Sequence, residues 1–195
     1  MRNLKKVLAL TLVFALVLSL GSTAFAGVKF TDSEDITTTY TEAVNMMNEL
    51  GIMQGFEDGS FKPQGSLTRA QYLKMLYVVT NRGTDDKAVQ FINTEPARFT
   101  DVYSGAWFEG YIKAGVARKW AAGYPDGTFK PNGEVTGFEA LKLSLVALGY
   151  DSEFEGYEGS DAWKLNVLTD AQDAGLLLNI ENVEMSVALP REAAA

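Results

Sequence analysis

Arg69 follows Thr68 and precedes Gln71 by two residues, at the point where a helical apolar pattern begins. A side chain just after a helix cap can leave the helix. A guanidinium placed there can grip a carboxylate bidentately, which Lys cannot reproduce. The unpaired N–H groups of the first turn add roughly half a positive charge beside it. Arg191 follows Pro190 in the same way, and Glu139 follows Thr136 as Gln71 follows Thr68. Asp58 and Asp126, each before a Gly, can accept from hydroxyl groups. The rings of Trp107, Trp120 and Tyr124 can offer flat apolar faces to a ligand. Arg69, Gln71, Asp58, Trp107, Trp120, Tyr124, Asp126, Glu139 and Arg191 are therefore the candidates for binding a ligand through charge, hydrogen bonds and ring faces.

Each of these residues also has a plainer role. Thr68, Gln71, Thr136 and Glu139 fit two capping boxes, in which Thr and Gln or Glu satisfy each other's backbone N–H groups. Asp-Gly is a strong turn signal, so Asp58 and Asp126 read first as turn formers. Trp107 and Trp163 open amphipathic stretches, where burial competes with ligand stacking. Lys62 and Lys130 stand beside Pro and are solvated on this reading. For Arg69 the competing role is a surface salt bridge worth ~0–1 kcal/mol.

The composition removes most catalytic chemistry. The 195 residues contain no His and no Cys. That excludes disulfides, thiolate zinc sites, a Cys nucleophile, the Ser-His-Asp triad and any His base. An enzyme would need carboxylates, Lys or Tyr, as a two-carboxylate glycosidase does. The repeat described below accounts for the acids without such a constellation. EF-hand spacing is absent, and no cofactor is expected. A net charge of −8 argues against nucleic acid as a partner. Hydrophobic residues at 47% against charged residues at 22% describe a globular chain.

The elements that must position these residues come from a repeat preceded by an address. Arg2, Lys5 and Lys6 lead into an apolar run from Val7 to Leu20, and Ala24-Phe25-Ala26 has the form of a cleavage site. Residues 1–26 read as a secretory signal peptide, the run being short of the ~20 residues a membrane span needs. No membrane contact is expected once it is removed. Without it the chain keeps 14 basic and 25 acidic groups, a net of −11. Residues 55 to 74 then return at an offset of 68 with ten identities in twenty and no gap. Each copy reads helix, loop, helix. Ala43, Met46, Met47 and Leu50 recur at helical spacing in the first helix of copy one. Leu73, Leu76 and Tyr77, or Leu141, Leu145 and Leu148, form the buried side of the second. Phe61 and Phe129 fall in short extended pieces ended by Pro63 and Pro131, and Leu67 and Val135 stand where a hydrophobic staple would put them. Trp163, Leu168, Ala171 and Gly175 match Trp107, Ile112, Gly115 and Lys119 at an offset of 56. This third copy lacks the Asp-Gly turn and the capping box, and its last helix stops about one turn in, at Ala195. The division is 1–26 signal peptide, 27–83 repeat one, 84–150 repeat two with its connector, and 151–195 a degenerate, C-terminally truncated repeat three. The connectors are polar Asn81 to Arg98 and acidic Tyr150 to Gly159.

Phe99-Thr100-Asp101, Trp107, the string Gly123-Tyr124-Pro125-Asp126-Gly127-Thr128-Phe129-Lys130-Pro131 and the run Thr68-Arg69-Ala70-Gln71 resemble the S-layer homology module of bacterial surface proteins. The resemblance covers nearly all of residues 30 to 195. It implies a mainly α fold of tandem helix-loop-helix repeats with short extended segments, packed as a pseudo-threefold helical bundle. It implies non-catalytic anchoring to a cell-wall glycopolymer, such as a pyruvylated secondary polymer or a peptidoglycan-linked glycan. The grooves would lie between modules, near the signature Arg and the glycine-rich loop. The implied place is outside the cell, on the bacterial wall or in its S-layer, with other surface-layer proteins as further partners. A structural S-layer or scaffold subunit that binds proteins is the alternative. The signature departs from the family pattern at Gln71 in copy one and at Gly137, where copy two lacks the Arg, and copy three reads Pro190-Arg191-Glu192-Ala193. At most two grooves keep the Arg.

Overall fold

A computed structural model describes residues 29–81, 85, 98–157, 162–180 and 182–195. The signal peptide expected at 1–26 and most of the connector from Asn81 to Arg98 lie outside the described residues. Five α-helices carry the fold: α1 (Thr41–Glu49), α2 (Arg69–Thr80), α3 (Glu109–Ala117), α4 (Gly137–Leu148) and α5 (Trp163–Asp173). The chain is mainly α, as the sequence predicts. Among the described residues the extended pieces pair only as isolated bridges: Ser66 with Pro190, Thr68 with Glu134, and Thr136 with Ala188.

Both capping boxes form. The Gln71 N–H donates to Thr68 Oγ1 at 3.2 Å, and the Thr68 N–H donates to Gln71 Oε1 at 2.9 Å. The Glu139 N–H donates to Thr136 Oγ1 at 3.3 Å, and the Thr136 N–H to Glu139 Oε2 at 2.9 Å. These bonds fix where α2 and α4 begin, and hence where Arg69 leaves the chain. In α1 the fully buried residue is Val44, while Leu50 falls at the C-cap and is exposed. The expected stripe through Leu50 is thus shifted by the early end of that helix.

Helix α2 packs on α3 and α4, and α4 packs on α5. Leu73, Tyr77, Ile112, Leu145, Val167 and Ala171 fill one core between them. A second core gathers Phe30, Val44, Phe61, Leu67, Val135 and Leu189. Leu67, Val135 and Leu189 also form a closed ring of backbone hydrogen bonds. The Val135 N–H donates to Leu67 O at 2.9 Å, the Leu67 N–H to Leu189 O at 3.4 Å, and the Leu189 N–H to Val135 O at 2.9 Å. The C-terminal segment thus takes the third corner, although it carries only the 3-10 turn Glu192–Ala194.

The loops follow the same rotation. The Arg69 and Ala70 N–H groups donate to Gly133 O and Pro131 O, at 2.8 and 3.1 Å. Those of Arg191 and Glu192 donate to Gly65 O and Pro63 O, at 2.9 and 3.1 Å. The Phe138 N–H donates to Met185 O at 3.1 Å. Each first turn is therefore satisfied by the loop of another repeat, which answers the shortage of partners at a helix start.

Candidate functional site

Both arginines point inward, against the expectation of a guanidinium free at the surface. Arg69 is 9% exposed and Arg191 is 6% exposed. Arg69 Nε donates to Phe129 O at 3.1 Å and Nη2 to Ala122 O at 3.4 Å. Arg191 Nε donates to Phe61 O at 2.8 Å and Nη2 to Gln54 O at 3.1 Å. The two sets of acceptors are equivalent under the 68-residue offset. Each guanidinium also lies 4.9 Å from two ring centroids, Tyr124 and Phe129 for Arg69, Phe56 and Phe61 for Arg191. These carbonyl and ring contacts hold one repeat's arginine against the next repeat's loop, so each arginine is first a clamp between repeats. Burial pulls the Arg191 pKa below its ordinary value, and the more distant Asp32 carboxylate works the other way.

A cleft of about 210 Å3 opens beside Arg191. The loop from Gly51 to Phe56 forms one wall, and Gln71, Lys74 and Met75 of α2 form another. Trp107 stands at its rim and is 53% exposed, so the burial that competes with stacking in the sequence does not occur. Trp107 lies two residues ahead of α3, outside the helical face that the periodicity addresses. Lys74 Nζ is 3.4 Å from Asp85 Oδ2.

The other expected site residues divide. Trp120 is buried under the guanidinium of Arg118, 4.8 Å from its ring, and offers no stacking face: a correction caused by the turn that closes α3, where the Trp120 N–H bonds Gly115 O. Tyr124 is half-buried between Arg69 and Lys130, with Lys130 Nζ 4.1 Å from its ring. Asp58 and Asp126 are exposed turn formers: Oδ1 of each accepts from the N–H and the hydroxyl of Ser60 or Thr128. The hydroxyl bond, then the backbone one, holds each carboxyl below its usual range. Gln71 and Glu139 both cap. Gln71 also borders the cleft, and Glu139 Oε1 lies 3.6 Å from Arg69 Nη1.

Two aspartates escaped notice as organisers of the loops. Asp32 accepts from the Phe61 and Lys62 N–H groups, at 2.8 Å each, and Asp101 accepts from those of Phe129 and Lys130 at 2.8 and 2.7 Å. For Asp32, burial works to raise its pKa, but the two N–H bonds outweigh it and hold the carboxyl below its ordinary value. The repeated Phe-Thr-Asp string at 30–32 and 99–101 was the available signal. Gln54, Phe56 and Lys74 were also missed, because only contact across repeats gives them a place in the cleft. Among the described residues no cluster of His, Cys, Asp and Glu is arranged to hold a metal, and no helix is long and apolar enough to cross a membrane.

A family model described as the S-layer homology domain matches residues 29–73 and 98–141. The chain is 28% identical over 184 residues to a surface layer protein of Brevibacillus choshinensis, covering 93% of this chain and 16% of that protein. It is 34% identical over 178 residues to a cell surface protein of Thermoanaerobacter kivui, covering 91% of this chain and 22% of that one. It is 30% identical over 107 residues to a cellulosome-anchoring protein of Acetivibrio thermocellus, covering 52% of this chain and 22% of that one. The chain therefore spans about a fifth of the length of these relatives.

Proposed function

The chain is a tandem S-layer homology protein of the bacterial cell surface, and from that premise we propose that it is a non-catalytic anchor held to the wall by an acidic secondary polymer. The observation that carries this reading is the cleft in which an exposed indole ring and a guanidinium share one space. An indole face suits the C–H surface of a pyranose, and a guanidinium suits a carboxylate or a pyruvate ketal. The chain is acidic overall, so attraction to an acidic polymer must be local. A Debye length near ~8 Å at physiological salt permits that. The names of the relatives, a surface layer protein and a cellulosome-anchoring protein, support anchoring as the outcome of such binding.

Co-sedimentation of the secreted chain with purified walls, before and after acid extraction of the secondary polymer, tests the reading. The expected result is pelleting with intact walls and loss of pelleting after extraction. Pelleting that survives extraction and depends on wall-bound protein would favour the scaffold role instead. Release of soluble sugar from the walls would contradict the non-catalytic assignment.

A further inference from the structure

Leu165, in the first turn of α5, is 67% exposed. At the offset of 56 its counterpart is Glu109, which is buried and bonded to the Gly105 N–H and to Lys113. Repeat two thus covers a carboxylate where repeat three shows solvent a leucine. The loop that follows α4 carries Phe154, which is 84% exposed. Asn166, the residue after Leu165, donates through Nδ2 to Glu155 O and Gly156 O, at 3.1 and 3.3 Å. Phe154 and Leu165 are each one residue from that junction, so they belong to one corner of the molecule. The corner is fixed from within. Asp151 Oδ1 accepts from the Glu153 and Phe154 N–H groups at 3.0 and 3.1 Å, and the buried Tyr157 donates to Asp170 Oδ2. Folding of the chain does not require an apolar ring at the tip of so constrained a loop, and an exposed apolar patch of this kind marks a contact surface.

The corner is acidic. Asp151, Glu153 and Glu155 flank Phe154, and among the described residues no Lys or Arg lies within 4.0 Å of their carboxylates. Burial, then Asp170 and Asp151, hold the Glu155 carboxyl above its ordinary pKa, as acids without a cation do. A face of the opposite kind lies where α2 and α3 end. Arg118 donates from Nη1 to Thr80 Oγ1 and from Nη2 to Asn81 Oδ1, at 3.4 Å each, which sets the cations after α3 against the last turn of α2. Val79 in that turn and Lys119 after Arg118 are both exposed. Among the described residues neither Arg118 nor Lys119 has a carboxylate within 4.0 Å. One chain therefore carries an aromatic knob among acids and an apolar spot among cations.

We propose that the Phe154–Leu165 corner of one chain docks on the Val79–Lys119 face of a second copy. The two faces differ, so the contact runs head to tail and extends into a row instead of closing as a twofold dimer. The net charge of −11 outside residues 1–26 pushes copies apart. A Debye length near ~8 Å confines that repulsion and leaves the close pairing of Glu153 and Asp151 with Lys119 and Arg118 in force. Because Asp151 holds the loop before contact, little ordering is lost when Phe154 inserts. The inference is independent of what the cleft beside Arg191 binds.

Sedimentation velocity of the secreted chain over a concentration series tests it, with a second copy as the probe. The wild type should form dimers and longer species as concentration rises. Phe154→Ser removes the knob, and Val79→Ser with Lys119→Glu spoils the face. All three positions are exposed, so thermal melting should show both variants folded. Each alone should associate more weakly by on the order of tenfold, as the loss of a central anchor does. Mixed in equal amounts, the two should form a dimer that grows no further, since one supplies an intact face and the other an intact knob. Association that survives in the Val79/Lys119 variant alone would mean that Phe154 docks on its own counterpart, and would overturn the proposal. So would a mixture that stays monomeric. A wild type still monomeric at ~1 mM, the weak end of specific binding, would also overturn it and leave the knob to a basic partner of another kind.

Discussion

Arg69 and Trp107 exchange the roles that their residue types suggest. The arginine is a buried clamp and the tryptophan is exposed. Arg69→Ala would leave Phe129 O and Ala122 O without their donor and Glu139 without its cation. A loss of about 2–3 kcal/mol in urea unfolding is expected from acceptors orphaned in a buried place. Arg69→Lys should recover little of it, since one ammonium cannot serve both carbonyls and the two rings. Trp107→Ala should change stability by less than about 0.5 kcal/mol, as exposed positions do. It should nonetheless reduce wall sedimentation several-fold. The motif around Arg69 was legible because ten identities in twenty define the repeat. Its burial was not, because a capping box fixes where a helix starts and leaves the direction of the next side chain to the loop of another repeat. Asp58 and Asp126 were legible as turn formers, since their bonds reach only two residues along the chain.

At the scale of elements, local signals were readable and contacts between repeats were not. The starts of α2 and α4 follow from Thr68 and Thr136, as the structure bears out. What the sequence hid is that each first turn borrows carbonyls from a distant loop, a pairing with no periodic signature. Gly137 shows the consequence. The missing arginine of copy two reads in the sequence as a defect, yet a Cβ there would lie 2.7 Å from Met185 Sδ and 2.9 Å from Met185 Cα. The C-terminal loop sits directly on this position, and α4 can approach it only without a side chain. Gly137→Arg should therefore lower stability by about 1–3 kcal/mol, the usual cost of overpacking. It should add no sugar site, although it restores the signature arginine. Melting and glycoside titration of that variant check both halves.

For the whole molecule, the helical class and the acidic charge were plain from composition and repeat, whereas closure depended on bonds between segments far apart in sequence. Acid should open it. Burial of Asp32 is outweighed by the N–H bonds from Phe61 and Lys62, and Glu109 is bound first by Lys113 and then by the Gly105 N–H, so both carboxyls titrate below their ordinary values. Stability from groups with depressed folded pKa values is complete above the unfolded values of ~3.9–4.3 and is lost as pH falls through the folded ones. Glu155, raised by burial and then by Asp170 and Asp151, works in the opposite sense. Urea midpoints should fall steeply from pH 5 toward ~pH 3, where carboxylates protonate, and less steeply in Asp32→Asn or Glu109→Gln. The ring through Leu67, Val135 and Leu189 has a further consequence for how the protein folds. Beside its last corner, the Glu192 bonds to Thr37 join residues 155 apart in the sequence. Such closure waits on the slowest, least local pairings. Until residues 67, 135 and 189 have all met, the ring stays open, so its closure should come late in folding.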